Sequence, residues 1–156
     1  MADQAHRAGV GSSIDISLGA KYDDLHGDPL EINVYVKALH DGKLIMQAMG
    51  KGSRIHFGKL ARLVIDGIDI VVGSKRSQTF DPGPFEAVGI DVTKYDIVAL
   101  KSSNHFRAGF TDLASKIITA DPPGLTTHHV EVFPREEKTY PLWPIDETAE
   151  YSGSDN

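Results

Sequence analysis

From Leu30 to Ala38 every second residue is apolar. Leu30, Ile32, Val34, Val36 and Ala38 alternate with Glu31, Asn33, Tyr35 and Lys37. Successive side chains of a strand point to opposite faces, so this run makes one apolar and one polar face and does not fit a helical period. Such a strand needs neighbours, and the flanking chain offers several. Ile14, Ile16 and Leu18 alternate with Asp15 and Ser17 upstream. Downstream, His40-Asp41-Gly42-Lys43 contains an Asp-Gly turn, which predicts that residues 44–46 return as the partner strand of a hairpin. Ala61, Leu63 and Ile65, then Asp66-Gly67, then Ile68, Ile70 and Val72 predict a second hairpin with a type I′ turn. Arg62 and Asp69 fall on its other face, expected to be wet.

Composition narrows the class. A chain of 156 residues suits one domain that buries roughly two-thirds of its unfolded surface. Its formal net charge of −6 argues against a nucleic-acid partner, which requires a basic face to displace counterions. With no cysteine, disulfides, thiolate metal sites and a cysteine nucleophile are excluded. No apolar run approaches the ~18 residues of a membrane span, so no membrane partner is expected. Without a signal-peptide pattern, a cytoplasmic location is expected.

The chemistry-bearing stretch is residues 96–110. Ile97-Val98-Ala99-Leu100 has the length of a buried strand, and Ser102, Ser103 and Asn104 are residues that cap helices. Phe106, Phe110, Leu113, Ala114 and Ile117 recur at helical spacing, predicting a core-facing helix. A strand end meeting a helix start favours anions, and Lys101, His105 and Arg107 cluster there. Arg offers a planar fork for carboxylate oxygens, so Lys101, Ser102, Asn104, His105 and Arg107 are the candidate substrate-binding residues. The alternative is an ordinary solvated helix start.

Other regions give weaker signals. Residues 1–8 suit a short helix stopped by Gly9-Val10-Gly11, a poor start for an independent domain. Residues 19–29 read as a solvated loop despite Asp23, Asp24, His26 and Asp28, whose spacing matches no metal motif. Asp81 is expected to cap a short helix over 85–88. Gly50-Lys51-Gly52-Ser53 lacks the phosphate-loop pattern, Ser102 and His105 sit in no nucleophile elbow, and HExxH spacing is absent. No metal ligand is assigned. His128-His129 would point to opposite sides of extended chain, and Trp143 is expected to anchor a proline-punctuated tail. Residues 147–156 are acidic and small, expected to be disordered.

Residues 97–110, IVALKSSNHFRAGF, resemble a signature of the MlrC-like zinc metallopeptidases, in their C-terminal domain. Matching pieces run in order across the chain: Gly9-Val10-Gly11, Leu18-Gly19, His26-Gly27, Phe80-Asp81-Pro82, Gly89-Ile90-Asp91, Asp121-Pro122-Pro123-Gly124-Leu125 and Trp143-Pro144-Ile145-Asp146. The resemblance implies one domain over residues 1–146 and a role in peptide hydrolysis, with a peptide as substrate. It implies zinc as cofactor, held by an N-terminal metallopeptidase domain or subunit that is the expected partner. The candidate residues would then form one wall of a site whose metal lies elsewhere. A stand-alone, non-catalytic binding module is the competing reading, and a homo-oligomer is compatible with either. Together the patterns predict an α+β fold: a mostly antiparallel sheet from two hairpins, with a strand-turn-helix unit added.

Overall fold

The alternating run becomes the spine of the sheet. The computed structural model describes residues 1–21, 27–122, 129, 141, 143 and 146–150. In chain order its elements are α1 (Ala2–Ala8), β1 (Ser13–Leu18), β2 (Leu30–His40), β3 (Lys43–Ile45), β4 (Arg54–His56), β5 (Leu60–Ile65), β6 (Ile68–Gly73), α2 (Gly83–Glu86) and α3 (Arg107–Phe110). A single 3₁₀ turn spans Val92–Lys94. The fold is α+β and its ladders are antiparallel, as expected.

The four-stranded sheet runs β1-β2-β5-β6. Ile16 lies opposite Ile32, and Val36 opposite Leu63. The β5–β6 hairpin forms as predicted, with Asp66 at φ 48 and Gly67 at φ 80 supplying the two left-handed residues of a type I′ turn. The first expected hairpin does not form. Both edges of β2 are occupied by β1 and β5, whose ladders are longer, so β3 pairs instead with β4, Leu44 opposite Ile55. Gly42, at φ 71, turns the chain off the sheet, and its carbonyl accepts from Phe57 N at 2.9 Å.

Each face of the sheet has its own core. On one, Ile16, Val34, Val36, Ala61 and Leu63 pack with Ala5 of α1. That helix ends at Gly9, whose amide returns to Ala5 O at 2.9 Å, matching the expected stop. The other face was expected to be wet, and over β5 it is not. Leu60 and Phe57 pack there with Val88, Ile90, Val92 and Phe110. The same covering segment lies over Arg62 and Asp69, whose side chains are only 19% and 12% exposed. Arg62 Nε donates to Asp69 Oδ1 at 2.5 Å, Arg62 Nη1 donates to Gly89 O at 3.1 Å, and the Tyr95 hydroxyl donates to Asp69 Oδ2 at 2.5 Å. An exposed surface pair has become a hydrogen-bonded triad under cover.

After residue 95 the expectations need correction. Residues 97–100 form no strand, and Ile97 is 83% exposed. The helix is one turn, α3, and it begins after the expected caps: its N-cap is Phe106, with no side-chain capping bond. Ser102 and the Asn104 carbonyl are engaged elsewhere, and Gly109 lowers helical propensity in the middle of the turn. Phe106 and Phe110 do enter the core, whereas Leu113 and Ile118 are exposed.

The chain divides into two units, Met1–Thr119 and Ala120–Asn156. In the second, His129 Nε2 lies 3.6 Å from Asp121 Oδ2. Trp143 is 81% exposed, so the indole is not the buried anchor expected. The readings of Asp23, Asp24, His26, His128 and residues 151–156 lie outside the described residues. Among the described residues no helix is long and apolar enough to cross a membrane.

Candidate functional site

The turn at residues 101–107 is held from beneath by two features. The first is Asp81, only 2% exposed. Its Oδ2 accepts from the amides of Gln47 at 2.8 Å and Ala48 at 3.3 Å, and its Oδ1 accepts from Gly83 N at 3.0 Å. The expected helix over 85–88 capped by Asp81 is shifted: α2 runs Gly83–Glu86 with Pro82 as its N-cap and no side-chain capping bond, and Asp81, one residue earlier, ties the Gly83 amide to the chain leaving β3. A buried carboxylate is tolerated where backbone N–H groups converge on it. The second is Gly109 in α3, whose Cα faces the backbone of Phe80 and Asp81. This contact docks the one-turn helix, and Phe110 locks it by an edge-on packing against Phe85 with centroids 6.2 Å apart.

Gln78 then shapes the turn from the side. Its Nε2 donates to Ser102 Oγ at 3.1 Å, and its Oε1 lies 3.1 Å from His105 Nδ1. An amide oxygen has no hydrogen to give, so Nδ1 is the donor, and in the neutral ring Nε2 is left as the acceptor. The imidazole also meets Phe80 edge-on, with centroids 5.6 Å apart and planes at 79°. One glutamine thus bridges two candidate residues three apart in sequence. Gln78 carries no local sequence signal, because its partner lies 24 residues away.

Arg107 is positioned differently. Its guanidinium lies 5.5 Å from the centre of the Phe106 ring, while its N–H donates to Asn104 O at 3.1 Å. An aromatic face holds the cation without neutralising it. Lys101 and Asn104 are exposed. Among the described residues no carboxylate pairs with Lys101 or Arg107, whereas Lys59, Lys43 and Lys94 face Asp3, Asp41 and Asp91. The structure therefore brings Ser102 and His105 together through Gln78, sets Arg107 on its aromatic support, and leaves Lys101 exposed. What it does not supply is the expected strand end and capped helix start. The positive charge at the turn comes from side-chain cations rather than from a helix dipole.

A concavity of about 600 Å³ opens away from this turn, between His6, His40, His56, Lys59 and Lys75. Its imidazoles are all engaged: His6 Nε2 with Leu60 O at 2.9 Å, His40 Nδ1 with Gly42 N at 3.0 Å, and His56 Nδ1 with Lys75 Nζ at 3.1 Å. These contacts brace the turns around the small β3–β4 hairpin. Among the described residues no three His, Asp or Glu side chains converge as a metal site, so no step through a metal is derived on this chain.

The fold is that of a metallopeptidase-related domain. A solved protein from Mesorhizobium sp. BNC1, described as a "putative metallopeptidase", superposes on 97% of this chain with a TM-score of 0.79 and 27% identity. A family model described as "MlrC C-terminus" matches residues 1–137, and the chain belongs to that family. Microcystinase C of Sphingomonas sp. is 28% identical over 140 residues, 89% of this chain. The chain spans 26% of that relative's length and 30% of the solved protein's.

Proposed function

We propose that this chain is the substrate-site-shaping C-terminal domain of an MlrC-like zinc metallopeptidase, working on peptides with a larger metal-bearing portion of the same kind of protein. The observation that carries the reading is the pair of cations Lys101 and Arg107, without a carboxylate partner among the described residues, on a turn braced by Gln78 and Gly109. Family membership supports the metallopeptidase setting, and the small share of each relative covered here supports a larger working unit.

In this reading the metal and its activated water belong to the larger portion. This domain supplies recognition. Arg107 offers two parallel N–H donors to a peptide carboxylate, and Phe106 restricts the guanidinium so that less rotamer freedom is lost on binding. Lys101 adds a mobile positive charge, and the Asn104 amide can pair with a peptide group. His105, with Nδ1 bound to Gln78, presents Nε2 as an acceptor for a peptide N–H. Ser102 fixes the curvature of the turn through Gln78.

The test is peptide hydrolysis by a longer protein in which this domain is joined to the rest of the family's polypeptide. Arg107→Ala and Lys101→Ala should each raise KM for peptides bearing a carboxylate and leave kcat nearly unchanged. Peptides amidated at that carboxylate should lose the difference between variant and parent. Equal kinetics for parent and variants on both peptides would remove the turn from the substrate site.

A further inference from the structure

Three stretches of chain far apart in sequence meet at two glycines. A Cβ at Gly42 would overlap Gly58 O, and one at Gly58 would overlap the Ser74 hydroxyl, so the stretches approach with no room for a side chain between them. Phe57 N donates to Gly42 O and Lys75 N to Phe57 O, both at 2.9 Å, and Lys59 N donates to Ser74 Oγ at 2.8 Å. These bonds fix the turn from β2 into β3, the link from β4 to β5 and the chain leaving β6 against one another. Each stretch delivers nitrogen groups to the same concavity: His40 and Lys43 from the first, His56 from the second and Lys75 from the third. Lys43 and His56 stand opposite in the β3–β4 ladder, so their side chains share a face.

Hydrogen bonds set which nitrogens can still donate. An ammonium has no lone pair, so Lys75 Nζ donates to His56 Nδ1 at 3.1 Å, and the neutral ring keeps its hydrogen on Nε2. His40 Nδ1 accepts from Gly42 N at 3.0 Å, which leaves that ring too with its donor at Nε2. His6 is the opposite case: its Nε2 donates to Leu60 O, so the neutral ring has no further donor to offer. The charges are uneven as well. Asp3 pairs with Lys59 at 3.0 Å and Asp41 with Lys43 at 3.4 Å, so both carboxylates of the concavity are matched. Among the described residues Lys75 has no carboxylate partner, and its ammonium is held by an imidazole instead.

We infer that this concavity is a phosphate-binding site, with Lys75 supplying charge, His56 and His40 neutral N–H donors, and Lys43 a second ammonium. Lys43 and Asp41 are 74% and 61% exposed, and a surface pair of that kind is weak enough to open for a stronger anion. Among the described residues no arginine lines the concavity, so the planar fork that suits a carboxylate is missing. Point donors arriving from three stretches of chain suit a tetrahedral group. A volume of about 600 Å³ lies in the range of small-molecule pockets, so the phosphate of an organic monoester has room as well as the free ion. The site shares no residue with the turn at 101–107 and stands whether or not that turn touches a peptide.

Titration of the whole 156-residue chain, followed through its imidazole and backbone amide resonances, tests this. Sodium chloride holds the ionic strength at about 0.15 M, and the pH is about 7.5, above the second phosphate pKa. The probes, used separately, are inorganic phosphate, phenyl phosphate and benzoate. Inorganic phosphate should bind saturably with a Kd of about 1 mM, moving the His40 and His56 ring signals and the Gly42 and Gly58 amides together. Lys75→Ala changes an exposed side chain and keeps the backbone bonds of the junction, so the thermal midpoint should hold while Kd rises at least about tenfold. His56→Gln, at a second exposed position, should raise Kd in the same direction. Lys94→Ala, outside the concavity, should change nothing. Tighter binding of phenyl phosphate than of the free ion would assign the site to a monoester, and equal or weaker binding to the ion itself. Benzoate binding as tightly as phosphate would overturn the inference. So would shifts that grow without saturating, or a Kd unchanged in both Lys75→Ala and His56→Gln. Peptide hydrolysis enters none of these readings, so failure here and failure of the substrate-site reading are separable.

Discussion

A Cβ added at Gly109 would stand 2.7 Å from Asp81 Cα and 2.7 Å from Phe80 O, closer than real Cβ atoms approach backbone. The helix that follows the cationic turn is therefore seated on the loop that the buried Asp81 organises, with no room for a side chain between them. Gly109→Ala should push α3 away from this seat. Overpacking of this kind costs about 1–3 kcal/mol, and urea unfolding should show a lower midpoint with an unchanged slope. An unchanged midpoint would mean that the helix is not docked as described.

Asp81→Ala should be at least as damaging. It leaves the amides of Gln47, Ala48 and Gly83 without their acceptor at a site only 2% exposed. A buried unsatisfied group costs about 1–3 kcal/mol, so the expected loss is at the upper end of that range. Asp81→Asn retains one acceptor oxygen and should recover part of the loss in the same assay.

The triad under the 89–95 segment predicts a pH profile. Burial pushes the Asp69 carboxyl up, but hydrogen bonds from Arg62 and Tyr95 outweigh it and hold the group below its ordinary value. A depressed carboxyl stabilises the fold above its unfolded value of ~3.9, and that stability is lost as pH falls through the native value. The Tyr95 hydroxyl is pushed above its ordinary value by its hydrogen bond to Asp69. Its stabilisation is present below ~10 and is lost as pH rises through the raised native value. Thermal midpoints should thus fall at both ends of the range. Asp69→Asn should flatten both limbs, whereas Tyr95→Phe should remove the alkaline limb and weaken the acidic one.

Sequence alone gave access to whatever depends on period and turn chemistry. The β2 alternation, the Asp66-Gly67 hairpin, the Gly9 helix stop and the α+β class were all legible. Strand pairing was less so, because competition for the edges of β2 is a property of three segments at once. The cover over Arg62 and Asp69 was hidden for the same reason: it comes from Gly89 and Tyr95, distant in sequence. At the site, the cations were visible and their brace was not. Gln78 and Gly109 act through residues 24 and 28 positions away, Ser102 and Asp81, without any local signature. Residues 97–100 read as a buried strand but form none: Ile97 is exposed, while Leu100 packs against the core around Phe57 and Phe110.

Gln78→Ala should loosen the turn without unfolding the domain. His105 Nδ1 loses its acceptor, so nitrogen NMR should record a shift toward the tautomer protonated at Nε2. The stability change should stay within about 1 kcal/mol, since the affected groups reach water. A tautomer ratio identical to the parent's would show that Gln78 does not set the ring's state.

In the proposed role Arg107, on its Phe106 support, recognises an acidic group of a peptide substrate. The most direct measurement is kcat/KM of the longer enzyme for one peptide in carboxylate and amide forms, with Arg107 intact and as Arg107→Ala. A lost charge-assisted pair corresponds to about 10–100-fold. That loss is expected for the carboxylate peptide, with little change for the amide. The same kcat/KM for parent and variant on the carboxylate peptide would contradict it.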